Sequence, residues 1–247
     1  MTTKLKNRYY LIDSLRGFWI INMVVFHLLY DLFVIFYPNN LFENPLVYVW
    51  ERFICSSFIF ISGISLNFSK NAYKRGILLN IYGFIITVVT TLAIPSEAIW
   101  FGILNLLGCS MLILQALRDY AEKIHPRTGA LVSFLLFAIL YGIPYGHIGL
   151  FSLKIFNLPD ILYSVKYLAF LGLPSADFHS SDYFPIIPWI FLYFTGFFVW
   201  KLIKSASIDS FFKIKIPVLD VIGMKSIWIY ILHQPVIFGI CMLLSIK

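Results

Sequence analysis

Charge is scarce in this chain. Only 13% of its 247 residues are Asp, Glu, Lys or Arg, where a soluble globular domain carries roughly a quarter, so a water-soluble globule is excluded. Cysteine is scarcer still. Cys55, Cys109 and Cys241 each sit inside an apolar run, with no CxxC or paired spacing, and they read as buried small hydrophobes rather than a disulfide framework or a zinc site. The P-loop, GxSxG, HExxH and Rossmann glycine patterns are also missing. The common soluble-enzyme chemistries therefore have no support, and no metal is expected. With no internal repeat, low-complexity tract or linker, residues 1–247 are expected to form a single transmembrane domain.

What is abundant sets the class. The chain is 60% hydrophobic and 19% aromatic, with 25 Phe and 15 Tyr, and its mean hydropathy is +0.84. These are the residues that lipid-facing and interfacial positions require. The expected fold is an all-α, polytopic helix bundle in the cell membrane. A span takes about 20 apolar residues at 1.5 Å rise each, which predicts about seven, near 15–37, 46–68, 76–94, 99–117, 129–146, 186–204 and 222–245. Between 150 and 173, Lys154, Pro159, Asp160 and Lys166 interrupt modest hydrophobicity. That stretch reads as interfacial or re-entrant, with an eighth span as the alternative.

The net charge of +7 calls for no nucleic-acid partner, because cytoplasmic Lys and Arg are needed simply to orient a membrane protein. Seven spans with a cytoplasmic N-terminus leave Arg52, Lys154, Lys166 and Lys247 outside and the other 15 of the 19 basic residues inside. Lys4, Lys6 and Arg8 ahead of a hydrophobic run resemble a signal-peptide start. However, Asp13 and Arg16 interrupt the approach, the run from Phe18 to Tyr37 is too long, and no A-x-A-like site follows. The segment is expected to remain as the first transmembrane helix.

A charge at mid-bilayer costs at least ~2.5–3.5 kcal/mol on insertion scales, so polar residues inside spans are the natural candidates for function. The first span holds Asp13 and Arg16 at its cytoplasmic rim, then Asn22, His27 and Asp31. At 100° per residue, Arg16 and His27 return to within about 20° of one face, and His27 falls about 15 Å deep. Asp31 lies one turn beyond, where it can fix the imidazole tautomer for a general base. The competing reading is a bundle histidine satisfied by a neighbouring helix, and snorkelling alone would account for Asp13 and Arg16.

The last span carries His233 and Gln234 just before Pro235, either opening a polar cavity or satisfying backbone freed by the proline. Ser62-Gly63 in the second span reads as close helix packing. Asn105 is an intramembrane amide that binds substrate or bridges two helices.

Ile12-Asp13-Ser14-Leu15-Arg16-Gly17, followed by Met23, His27 and Asp31, resembles the opening helix of the heparan-alpha-glucosaminide N-acetyltransferase catalytic-domain family. The Arg16-to-His27 interval is also similar to the Arg-x10-His motif of the acyltransferase-3 group. Further blocks carry the resemblance along nearly the whole chain: Phe60-Ile61-Ser62-Gly63, Phe101-Gly102-Ile103-Leu104-Asn105-Leu106, Asp182-Tyr183-Phe184-Pro185, and Gly223-Met224-Lys225-Ser226 with Tyr230, His233, Gln234 and Pro235. The chain departs from the family at Asn105, where His is common, and at Lys225, where Asn is common. It also lacks the large lumenal insertions of the lysosomal enzyme, which argues against heparan sulfate as its substrate.

The resemblance implies acetyl or acyl transfer from cytoplasmic acetyl-CoA or another acyl-CoA to an extracytoplasmic amino sugar or sugar hydroxyl. On that reading His27 and Asp31 are catalytic, with attack either direct or through an acyl-histidine. Arg16, Lys74 and Arg75, with Lys70, meet the donor's phosphates. Asn105, Asp182 and His233 contact the acceptor, with His179 and Tyr183 beside Asp182 at the outer mouth, and His233 is a candidate second base or oxyanion donor. The partners are then acyl-CoA, a sugar or glycan and the lipid bilayer, with no nucleic acid and with homo-oligomerisation left open. Two other classes use the same residues differently: a proton-coupled small-molecule transporter, and a non-catalytic accessory subunit.

Overall fold

The computed structural model describes residues 8–245, so Lys4, Lys6 and Lys247, which enter the topology count, lie outside the described residues. The chain divides into two compact units, Met1–Phe58 with Ile203–Lys247, and Ile59–Leu202.

The first unit is built on helix α1, Tyr10–Tyr30, which continues into a π-helical turn, Asp31–Phe36. In that wider turn the Tyr37 N–H donates to the Leu32 carbonyl, five residues back, at 2.7 Å. The unit also holds the first part of α2 (Pro45–Leu66), the short α8 (Leu219–Met224) and α9 (Ser226–Ser245). Ile20, Met23 and Ile54 form its core, packed against Trp19, Phe26, Trp50, Ile229 and Tyr230. Asn22, polar within the span, accepts from Trp50 Nε1 at 3.1 Å.

Two glycines let α1 and α8 approach closely. A Cβ on Gly17 would fall on the Leu219 carbonyl, and one on Gly223 would fall on the Asp13 carbonyl. Small residues at such crossings are what membrane helices use in place of a hydrophobic driving force. This contact gives a physical reason for Gly17 in the Leu-Arg-Gly block and for Gly223 in the Gly-Met-Lys-Ser block.

The second unit contains the end of α2, α3 (Ala72–Ala93), α4 (Ile103–Ala116), α5 (Arg118–Lys123), α6 (Pro126–Leu140) and most of α7 (Ile186–Ser205). Here too glycines set the approach: Gly63 lies against the Tyr193 carbonyl of α7, and Gly196 against the Phe60 carbonyl of α2. The Phe-Ile-Ser-Gly block is thus a packing element, as expected.

The fold is an all-α polytopic bundle. Six helical segments among the described residues are long and apolar enough to cross a membrane: Tyr10–Phe36, Pro45–Leu66, Ala72–Ala93, Pro126–Tyr145, Ile186–Ser205 and Ser226–Leu244. The stretch expected to span near 99–117 is α4, whose 14 residues extend about 21 Å, short of a hydrocarbon core ~30 Å thick. Residues 150–173 contain no spanning helix. A hairpin of β1 (His147–Leu150) and β2 (Leu153–Asn157) occupies the first part, and two 3-10 turns, Asp160–Tyr163 and Lys166–Leu171, follow. The hairpin escaped the sequence reading because a search for runs of about 20 apolar residues passes over strands of four and five.

Candidate active site

Helices α1 and α9 carry two facing pairs of polar side chains. His27 on α1 and Asp31, the first residue of the π turn that continues it, are one turn apart and share a face. His233 and Gln234 are consecutive on α9 and diverge by about 100°, so each meets a different residue of α1. The rings of His27 and His233 lie 4.8 Å apart between centroids, tilted by 58°. Gln234 Nε2 donates to both carboxylate oxygens of the fully buried Asp31, at 2.8 and 3.1 Å. Phe26 stands edge-on to His27 at 5.9 Å, and Tyr230 lies 5.6 Å from His233.

Spacing alone led to Asp31 as the residue orienting His27. In the structure Asp31 takes the Gln234 amide, and the ring of His27 packs against a second imidazole. A shared helical face decides which residues are neighbours along one helix, whereas the partner each side chain takes is decided by what the opposite helix presents.

The orienting acceptor belongs to His233. Its Nδ1 lies 2.6 Å from the Tyr230 carbonyl oxygen, and a carbonyl only accepts, so Nδ1 carries the proton. Nε2 is then the lone-pair nitrogen, and it is buried without a hydrogen-bond partner among the described residues. A fixed tautomer with a free basic nitrogen is what a general base needs. Proline does not account for this contact: Pro235 frees the carbonyl of Ile231, four residues before it, while His233 takes that of Tyr230.

Toward the start of α1, Asp13 is buried and paired twice, with Arg8 Nε at 2.7 Å and with Arg16 Nη1 at 3.1 Å. On α8, the fully buried Asp220 faces Lys215 Nζ at 3.6 Å.

The remaining candidates belong to the second unit. Lys74 and Arg75 are exposed in the first turn of α3, and Arg75 Nη1 reaches Ser69 Oγ at 3.4 Å. Asn105 and Asp182 come together around the start of α4. Asn105 Nδ2 donates to the Asn80 carbonyl at 3.5 Å, and its amide fills the space where a Cβ on Gly83 would lie. This contact joins α4 to α3. Asp182 Oδ2 accepts from the Ile103 N–H at 3.3 Å, satisfying one of the free donors at the helix start. His179 Nε2 lies 3.3 Å from the Ser96 carbonyl. The Tyr183 hydroxyl donates to the Ala169 carbonyl, and burial, with Tyr163 and Tyr145 nearby, pushes its pKa up.

Two features were missed in the sequence. The Gln234–Asp31 contact has no signal in either helix alone. Asn80, which accepts from Cys109 Sγ at 3.3 Å and donates to the Gly76 carbonyl at 3.0 Å, was within reach, because the test of polar residues inside spans applies to it as it does to Asn105.

No curated protein and no solved structure matches the chain. A family model described as heparan-alpha-glucosaminide N-acetyltransferase, catalytic, matches residues 8–235. The match runs from Arg8, at the salt-bridge cluster of α1, to Pro235, just past the histidine and glutamine of α9. The chain belongs to the heparan-alpha-glucosaminide N-acetyltransferase catalytic family and is a membrane acetyltransferase of that family.

Proposed function

We propose that this acetyltransferase moves an acetyl group from cytoplasmic acetyl-CoA, or an acyl group from a related thioester, to an amino sugar or sugar hydroxyl on the far side of the cell membrane. His27 and His233 are its catalytic pair. The supporting observation is the His233 tautomer: Nδ1 held by the Tyr230 carbonyl at 2.6 Å, Nε2 without a hydrogen-bond partner among the described residues, and the ring 4.8 Å from that of His27.

In this scheme His233 Nε2 takes the proton of the acceptor N–H or O–H as that atom attacks the thioester carbonyl. The C–S bond then breaks, and the CoA thiolate leaves and picks up the proton. His27 lines the same polar step and contacts the reacting acyl group. Asp31 acts as a positioning residue: through Gln234 it ties α9 to α1 and so sets the His27–His233 separation. Arg16, partly neutralised by Asp13, contributes a cation toward the donor's phosphates. Residues 1–247 serve as one catalytic domain in this reading.

The test is transfer of labelled acetyl from acetyl-CoA by detergent-purified wild type and His27→Ala, against a panel of hexosamines and polysaccharides. Wild type should label at least one acceptor, and transfer by His27→Ala should fall well below it, because the variant removes the ring that packs against His233. Full transfer by the variant would remove His27 from the chemistry.

A further inference from the structure

The hairpin after α6 exposes an unusual amount of apolar surface. All five residues of β2 are exposed, and Leu153, Ile155 and Phe156 are 65%, 61% and 69% exposed. Both faces of the strand are therefore uncovered, which no strand in contact with water on both sides would favour.

The way the hairpin is attached says what lies against it. Its turn is folded back along α6: the Phe151 N–H donates to the Ala138 carbonyl at 2.8 Å, one of the last four carbonyls of that helix, which have no intrahelical donor. The Phe151 ring contacts Phe134, Phe137 and Tyr141 at 6.4, 6.1 and 5.9 Å between centroids. Residues 134 to 141 cover two turns of α6, so the hairpin turn sits beside the final turns of a membrane-spanning segment rather than above them. Phe151 also adopts a φ of +52°, a conformation that favours glycine. The aromatic packing and the Ala138 bond offset that strain and hold the turn down against the helix.

Phe134 belongs to the outward face of α6 that also exposes Leu131, Leu135 and Ile139. The apolar face of the hairpin is thus continuous with a face that already meets lipid. Depth is limited from the other side. A two-stranded hairpin leaves edge N–H and C=O groups unpaired, and hydrocarbon does not tolerate them. The zone that accepts both unpaired backbone and large apolar side chains is the headgroup–acyl boundary. Lys154 has a stem long enough to keep its ammonium in water from there.

We infer that the 147–157 hairpin is a membrane-inserted element, with Leu153, Ile155 and Phe156 immersed in the lipid interface at the Tyr141 end of α6. The occupant of this surface is lipid, and its place is independent of whether the chain transfers acyl groups.

The test uses the full chain in proteoliposomes, with Cys55, Cys109 and Cys241 replaced by serine or alanine and a nitroxide attached in turn through Leu153→Cys, Ile155→Cys and Phe156→Cys. Collision with oxygen, which concentrates in lipid, is compared with collision with a water-soluble nickel chelate. Labels through Leu131→Cys on α6 and Asp119→Cys on α5 serve as the lipid and aqueous references, and a wild-type unfolding midpoint in detergent shows that each labelled protein is folded. The hairpin labels should show an oxygen-to-nickel ratio several-fold above that at Asp119, approaching that at Leu131. A ratio like that at Asp119 would place the hairpin in water and overturn the inference. Poor collision with both reagents would mean that protein covers the face, a second copy if spin–spin broadening accompanies it, and would overturn it equally.

Discussion

His233 donates its Nδ1 proton to the carbonyl of Tyr230 at 2.6 Å, and that contact makes Nε2 the basic nitrogen of the ring. The carbonyl lies three residues earlier on the same helix, so the tautomer is set locally and does not depend on substrate. The nitrogen left free is buried, beside the imidazole of His27.

Replacing His233 by asparagine separates this chemistry from its structural contact. The shorter amide presents a donor near the position of Nδ1 and no base at the position of Nε2. We expect His233→Asn to unfold in detergent within a few degrees of wild type while acetyl transfer falls about 10²–10⁴-fold. Thermal unfolding followed by tryptophan fluorescence, alongside the transfer assay, checks both halves, and retained transfer would rule out His233 as base.

Gln234 and Asp31 should be energetically coupled. Gln234→Leu removes the two hydrogen bonds that Gln234 donates to the buried carboxylate, and loss of a hydrogen bond to a buried acceptor costs about 1–3 kcal/mol. Asp31→Asn in the same background should recover part of that loss, since a neutral amide is cheaper to bury than a carboxylate. A double-mutant cycle on unfolding free energy measures the coupling. A coupling near zero would mean that the contact does not hold α9 to α1.

Gly17→Ala is expected to destabilise by about 1–3 kcal/mol through overpacking, because the added methyl meets the Leu219 carbonyl. Gly239→Ala, where nothing lies within 4 Å of the new carbon, should be neutral or stabilising by up to about 1 kcal/mol from helix propensity. Equal effects at the two positions, measured as shifts in unfolding midpoint, would contradict the close α1–α8 crossing.

Asp182 is predicted to matter for stability more than for acceptor affinity. Asp182→Ala takes away the acceptor for the Ile103 N–H and should cost about 0.5–2 kcal/mol, the range for a lost helix cap. KM for the acceptor should stay within twofold of wild type. A raised KM at unchanged stability would return Asp182 to the acceptor site.

Much of the architecture was legible because membrane spans are written in composition. Six of the seven expected spans correspond to long helices, and the first, Tyr10–Phe36, begins before the apolar run from Phe18 and reaches nearly to its end because the π turn after Tyr30 continues the helix. Where the reading stopped short, the cause was geometry between helices. Nothing in the run around Asn105 says that it ends after 14 helical residues, because apolar residues fill a short buried helix as readily as a span. His27, Asp31 and His233 could be picked out one by one as polar residues inside hydrocarbon. Their pairing could not, because Gln234 reaches Asp31 from a helix some 200 positions away, and no spacing within a single helix encodes that contact. Asn105 and Asp182 could be picked out as polar residues, but the neighbours they take could not, because a buried or helix-terminal polar group finds its partner on another element: Asn80 for Asn105 and the Ile103 N–H for Asp182.

The most direct measurement of the account is transfer across a sealed membrane. Proteoliposomes holding an acceptor sugar inside and labelled acetyl-CoA outside are prepared with wild type, His27→Ala and His233→Asn, and labelled acceptor is counted in the lumen over time. The account predicts steady accumulation with wild type, a loss of at least about 10²-fold with His233→Asn and a clear loss with His27→Ala. Wild-type accumulation in either variant would contradict the assignment of the histidine pair, and no lumenal product from wild type, with an acceptor it modifies in detergent, would contradict transfer across the membrane.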